Sequence, residues 1–252
     1  MIAPARWIGG SAEGAASLGQ RSALAGAMLA ACIIAQPAHA QVSASIDVES
    51  DYRLRGYSLS SGRPVATAQV GYDDDSGIYL NLSATGMLGR DDPLFLGVQG
   101  NIGYAKRLSR RVSIDGGVLR SQYRAPDPTT RSHNYTDIYL GVIADPVSAR
   151  VYYSPDYYRP GVSTLYGEVE GTVRPAKNWR LNAHLGSLVY LRTPAVYFPG
   201  REARYDWRLG VSRQFGNLDL HAALSGGGPG REYYSGGLHG KTALTAGASW
   251  SF

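Results

Sequence analysis

The stretch from Val42 to Arg55 constrains this chain more than any other. Its even positions read Val42, Ala44, Ile46, Val48, Ser50, Tyr52 and Leu54; its odd positions read Ser43, Ser45, Asp47, Glu49, Asp51, Arg53 and Arg55. Alternation with period two, unbroken over fourteen residues, predicts a strand, because successive side chains leave opposite faces of the pleat. One face of that strand is apolar and the other is charged. In a soluble sheet the apolar face rests on a core and the charged face meets water. In a membrane barrel the apolar face meets lipid and the charged face lines the interior.

The first forty residues stand outside this pattern. Arg6 and Arg21 flank an apolar run from Ala23 to Ala35, followed by Pro37 and Ala38-His39-Ala40. Positive charge, a short apolar core and an A-x-A site make a secretory signal peptide. The run of thirteen residues is too short for a spanning helix, which needs roughly twenty. Cleavage is expected after Ala40, so residues 1–40 form a cleaved signal and residues 41–252 the mature domain. Leu29-Ala30-Ala31-Cys32 also fits a lipoprotein box, but the apolar run continues through Ile33 and Ile34. Ordinary cleavage removes the only cysteine, and with it disulfides and any thiol nucleophile. It also removes Arg6, Arg21 and Glu13, which lowers the formal net charge of +5 by one unit. So modest an excess, without a basic run, does not indicate a nucleic-acid partner.

Alternation recurs down the chain. Val65–Tyr72, Ile78–Thr85, Leu96–Tyr104, Val112–Tyr123, Tyr135–Ala144 and Ser148–Tyr153 continue the series. Further strands set Leu165, Val169 and Val173 against Tyr166, Glu168, Glu170 and Thr172, and Trp179, Leu181 and Leu185 against Arg180, Asn182 and His184. Tyr205, Trp207 and Leu209 then oppose Asp206, Arg208 and Ser212; Leu218–Leu224 and Leu244–Phe252 close the series. Connections after odd-numbered strands are long. Those after even-numbered strands are tight: 73–77, 106–111, 145–147, 174–178 and 216–217. No helical apolar pattern long enough to span a bilayer follows residue 40, so a membrane chain must close as a barrel. The expectation is an all-β, transmembrane, antiparallel up-and-down barrel of about twelve strands, with long extracellular loops and short periplasmic turns.

Aromatic residues gather near strand ends (Tyr52, Tyr72, Tyr104, Tyr152, Tyr153, Tyr157, Tyr158, Trp179, Trp207, Trp250), where interfacial girdles are expected. The chain stops on a strand ending at Phe252, which resembles the signal read by the barrel-assembly machinery. Asp51-Tyr52-Arg53-Leu54-Arg55-Gly56-Tyr57-Ser58-Leu59-Ser60-Ser61-Gly62-Arg63-Pro64 resembles the N-terminal signature of the TorF-type porin family of bacterial outer-membrane proteins. Tyr152-Tyr153-Ser154-Pro155-Asp156-Tyr157 resembles its internal motif. The resemblance implies a porin and brings neither a substrate nor catalytic residues.

Enzyme chemistry finds little footing. Ser235-x4-Gly240-Lys241-Thr242 approximates a phosphate-binding loop, but it lacks the first glycine and precedes a strand instead of a helix. Asp73-Asp74-Asp75 reads as a solvated turn. His184 and His221 fall on inward positions, whereas His133 and His239 fall in outer loops, which does not make a metal site. No G-x-S-x-G elbow is present. The sequence therefore predicts no enzyme, no cofactor and no metal.

The inward faces carry Asp47, Glu49, Asp51, Asp115, Asp137, Glu168, Glu170, Asp206 and Asp219, with Arg53, Arg55, Arg180 and Arg208. Nine acids against four arginines leave carboxylates over, which favours lumenal water and a cation preference. The expected pore-lining set is Asp47, Glu49, Asp51, Arg53, Arg55, Glu168, Glu170, Arg180, Asp206 and Arg208. The long outer connections after the ninth and eleventh strands are candidates to fold inward as constrictions. The expected protein is a monomeric outer-membrane porin of a Gram-negative bacterium. It would pass small polar or ionic solutes, with membrane lipid and the assembly machinery as partners. A closed structural or adhesive barrel acting through its loops is the alternative, and a lipid-modifying enzyme a third.

Overall fold

In this computed structural model the described residues are 40–89, 94–124, 133–193, 203–228 and 242–252. The chain begins with β1 (Ala40–Glu49), a miniature hairpin of β2 (Arg53–Leu54) and β3 (Tyr57–Ser58), then β4 (Val65–Asp74), β5 (Ile78–Met87) and β6 (Leu94–Arg107). It continues through β7 (Val112–Tyr123), β8 (His133–Ala144), β9 (Val147–Ser154), β10 (Ser163–Ala176) and β11 (Trp179–Arg192). The last strands are β12 (Arg204–Phe215), β13 (Leu218–Gly228) and β14 (Ala243–Ser251). β1 and β4–β14 form one closed antiparallel barrel of twelve strands. Closure comes from β14 pairing with β1, with Trp250 opposite Ile46 and Ala248 opposite Val48. The sheet has no free edge, so no row of unpaired backbone groups is offered to lipid.

Which face looks out settles the environment. Leu140, Leu185 and Leu244 are 73%, 67% and 75% exposed, and Val42, Leu82, Ile102, Ile138 and Leu209 share their outer surface. Asp115, Asp137 and Asp206 lie on the other face and are buried. A barrel that turns its leucines outward and its carboxylates inward is built for a bilayer, where lipid solvates the apolar belt. Tight turns at residues 75–77, 108–111, 145–146, 177–178 and 216–217 share one end of the barrel with the start of β1 and the end of β14. The acidic turn is self-capped. Asp74 accepts hydrogen bonds from the backbone amide and hydroxyl of Ser76 (2.8 and 2.5 Å) and from the amide of Ile78 (3.2 Å).

Several expectations need correction. The first strand stops at Glu49, six residues before the alternation does. Ser50 makes the last backbone hydrogen bond to the wall before the chain turns in, its amide donating to the Ala246 carbonyl at 2.9 Å. The chain then turns into the barrel interior, so Asp51, Arg53 and Arg55 leave the wall. The alternation persists because β2 is itself extended and keeps the phase of β1.

Leu96 is in phase with Val98, Ile102 and Tyr104, and the alternation places all four on one face. A register shift between Thr85 and Gly86 turns Leu96 inward, where it is fully buried. The proposed girdle also divides. Tyr72, Tyr104, Tyr153, Trp179 and Trp250 are exposed, whereas Tyr52 and Tyr158 pack against a buried interior cluster, as does Tyr152, and Tyr157 belongs to it. That cluster, which includes Val65, Met87, Leu96, Tyr123, Tyr135 and Tyr166, fills the interior towards the end opposite the tight turns. It is a true hydrophobic core, each buried side chain contributing roughly 1.5–3 kcal/mol.

Candidate functional site

Between that core and the tight-turn end lies a lumenal cavity of about 930 Å³. Its walls include Asp73, Arg180, Asp219 and His221 near the tight turns, and Arg55, Tyr135 and Tyr166 at its inner end. Of the predicted pore-lining residues, Glu49, Asp51, Arg53, Arg55, Glu168, Glu170, Arg180, Asp206 and Arg208 border this cavity. Asp47 is not among its lining residues. It sits on β1, where its carboxylate accepts from Gln69 Nε2 at 3.0 Å and Ser45 Oγ at 3.2 Å.

The interior charges are largely neutralised in place. Arg150 pairs with Asp115 at 3.1 Å, Arg180 with Asp219, and Arg208 with Glu170 at 3.7 Å. His184 bridges Asp206 at 2.8 Å and Glu170 at 3.3 Å, while His221 lies 3.6 Å from Glu49. Asp51 and Asp137 pair with Arg53 and Arg55 at 3.1 and 2.7 Å. Among the described residues, Asp47 and Glu168 have no cation in range, and Glu168 instead accepts from Tyr152 OH at 2.8 Å. With both histidines protonated, the expected surplus of nine acids over four arginines shrinks to two carboxylates. The count of nine against four omits Arg150, which the register of β9 turns inward, and both histidines. Arg120 stays outside, donating to Thr136 Oγ1 at 2.8 Å.

The in-turned segment 50–64 contributes Asp51 and Arg53–Gly56 to the cavity lining. Its two-residue turn, Arg55-Gly56, has φ of +48° and +80°, as a type I′ hairpin demands. Glycine is needed at the second position for space as well. A Cβ on Gly56 would stand 2.8 Å from Asp206 Cβ and 3.0 Å from the Gly226 carbonyl oxygen. The hairpin tip is therefore pressed against the wall at β12 and β13. Asp51 holds the base, accepting from Ser58 Oγ, Ser60 Oγ and the Gly62 amide at 2.5, 2.8 and 3.2 Å. Tyr52 OH meets Tyr123 OH at 3.0 Å, and Arg204 donates to Tyr57 OH at 3.4 Å. Serines at 58 and 60 alternating with Tyr57 and Leu59 were the available signal for this internal packing. A solvated loop has no reason to alternate.

A second group of inward aromatics stands on glycine notches. Tyr79 OH and Tyr139 OH lie 2.5 Å apart. A Cβ at Gly103 would fall 2.4 Å from Tyr79 OH, so that position must be glycine for the phenols to meet. The predicted constrictions after the ninth and eleventh barrel strands fall largely outside the described residues, as do His239 and all but Thr242 of the Ser235–Thr242 motif. Cys32 and the cleavage site's Ala38 and His39 also lie outside them, as does the side chain of His133. The loop arginines Arg90, Arg131 and Arg201 lie outside them too.

A closed twelve-stranded barrel with a lipid-facing belt and a charged, hairpin-stoppered interior defines an outer-membrane β-barrel. The chain belongs to the Gcw_chp family, described as a bacterial protein of unknown function, whose sequence model matches residues 35–235. Comparison with curated proteins returns no match. Among solved structures, the KdgM porin superposes with a TM-score of 0.52 at 13% identity, covering 83% of this chain and 99% of that one. The NanC porin gives 0.52 at 11% identity, with 83% and 99% covered. At such identities the likeness is one of fold. A further structure of the first is titled as its complex with disordered oligogalacturonate (TM-score 0.50, 13% identity, 83% and 99% covered).

Proposed function

We propose that this protein is an outer-membrane channel for small polar or ionic solutes, of the TorF porin type, in which segment 50–64 is the constriction. The observation that carries the reading is the cavity of about 930 Å³ bounded by charged and hydroxyl side chains. A barrel with a purely structural role has no need of such a space, because interior charge can be paired or replaced by apolar filling. The neighbours titled as porins support the same reading through their shared architecture. Export with cleavage after Ala40, tight turns in the periplasm, a monomeric state and assembly through the strand ending at Phe252 belong to the proposal. So does the absence of catalysis: His184 bonds to Tyr166, Glu170 and Asp206, none of which is an activated nucleophile.

One observation favours the alternative of a closed barrel acting through its loops. The fully buried cluster of Val65, Leu96, Tyr123 and Tyr135 occupies the interior beyond the cavity. Planar-bilayer recording of the refolded protein in a salt gradient separates the two readings. A channel gives discrete steps with a defined reversal potential, and larger steps when residues 51–63 are replaced by a short glycine-serine link. Folded protein that stays silent in both forms overturns the channel reading.

A further inference from the structure

The pocket that holds Arg55 has the composition of a cation-binding cage. The guanidinium carbon lies 4.2 Å from the ring centroid of Tyr166, 5.3 Å from Tyr157, 5.5 Å from Tyr135 and 5.6 Å from Tyr152. Nη2 donates to Asp137 Oδ2 at 2.7 Å. The Asp137 side chain is 1% exposed, and among the described residues its second oxygen has no hydrogen-bond partner. Rings that face a cation from several sides, with a carboxylate at the base, attract organic cations through the ring quadrupoles as well as through charge.

The cage is a property of the wall. Tyr135 and Asp137 stand on β8, Tyr152 on β9, Tyr166 on β10, and Tyr157 on the connection 155–162. The hairpin contributes only the occupant, and it does so from a strained backbone. Arg55 has φ +48°, a conformation unfavourable for a residue with a Cβ. Tyr135, Tyr152, Tyr166 and Arg55 all border the lumenal cavity, so a solute reaching its inner end meets this group.

We propose that the cage is a binding site for solutes carrying a guanidinium or ammonium group, filled here by the chain's own Arg55, and that such a solute displaces the hairpin tip to occupy it. The proposal rests on the channel reading for the solute's route of entry, and not for binding itself. It names the solute class through the only ligand chemistry the cage already displays.

The test is calorimetric titration of methylguanidinium into refolded, detergent-held barrel, against sodium chloride at equal ionic strength. In Arg55→Ala the cage is vacated while Asp137 remains. Saturable one-to-one binding is expected, at least about tenfold tighter than to the wild type, whose own arginine competes. Adding Asp137→Asn should weaken it about tenfold or more, the loss of one charge-assisted hydrogen bond. Arg55→Gly, which also vacates the cage and suits a backbone at φ +48°, serves if the alanine variant does not fold. If neither folds, wild-type protein is titrated while exchange of the Leu59 amide is followed; methylguanidinium should accelerate it where sodium does not. Folded vacated variants that bind no better than wild type, binding indifferent to Asp137, or unaltered Leu59 exchange in that last case each overturn the proposal. Bilayer recordings keep the two ideas apart. Binding without conductance sinks the channel and leaves the site, whereas conductance without binding sinks the site alone.

Discussion

Replacing Asp137 by asparagine should loosen the in-turned hairpin while leaving the barrel wall intact. The change is nearly isosteric, but it leaves the Arg55 guanidinium, 8% exposed, without its counter-charge. Removing one partner of a buried pair costs about 3–5 kcal/mol. Part of that is retained, because the Tyr166 ring 4.2 Å away still attracts the cation by about 0.5–2 kcal/mol. A net loss of about 3 kcal/mol raises the population of undocked hairpin on the order of a hundredfold. Amide exchange reads this directly. Leu59 N–H, which bonds to the Tyr52 carbonyl at 2.8 Å, should lose about two decades of protection. Amides joining β8 to β9 serve as the unmoved internal control. In a double-mutant cycle, Arg55→Met in the Asp137→Asn background should cost far less than Arg55→Met alone. Leu59 protection within about twofold of wild type, or single effects that add within roughly 0.5 kcal/mol, would refute the assignment of this pair as the hairpin's anchor.

Asp51→Ala should undo the hairpin's base, since Ser58, Ser60, Gly62 and Arg53 all donate to that carboxylate; a local loss of about 2–4 kcal/mol should appear as faster trypsin cleavage after Arg53 or Arg55. Gly56→Ala should push the tip off β12 and β13, because its Cβ would meet Asp206 and Gly226 at φ +80°; the check is larger single-channel steps without a change in heat-modifiable gel mobility. Leu140→Arg on the lipid face, where Leu140 is 73% exposed, should cost about 2–4 kcal/mol if the residue lies near the bilayer midplane, measured by urea titration of folding into vesicles. Glu49→Gln with Glu170→Gln removes two accessible lumenal carboxylates (36% and 40% exposed) and should move the reversal potential towards anions. Arg208→Gln should move it the other way, and coincident potentials in the three proteins would exclude these groups from the conduction path.

Side-chain periodicity is a local property, and what depends on it could be read from the sequence. The two-residue alternation identified the strands and sorted Leu165, Val169 and Val173 from Tyr166, Glu168 and Glu170, because the pleat leaves a side chain only two directions. The tight connections followed from the same boundaries, and the barrel from the lack of any other way to satisfy strand edges in lipid. What lay beyond local pattern was decided by closure. Only the ring of twelve strands brings β8, β9 and β10 close enough to a segment after β1 for Arg55 to meet Asp137, 82 positions away in the chain. Likewise the pairing of Arg150 with Asp115, and of His221 with Glu49, depends on register around the circumference, which no single strand encodes. The alternation through Arg55 could not show that the chain leaves the wall at Ser50, since extended backbone looks the same in a barrel wall and in a hairpin crossing its interior. Which of the two it becomes is set by what surrounds it: tyrosines and an aspartate from distant strands that bury the hairpin's arginine.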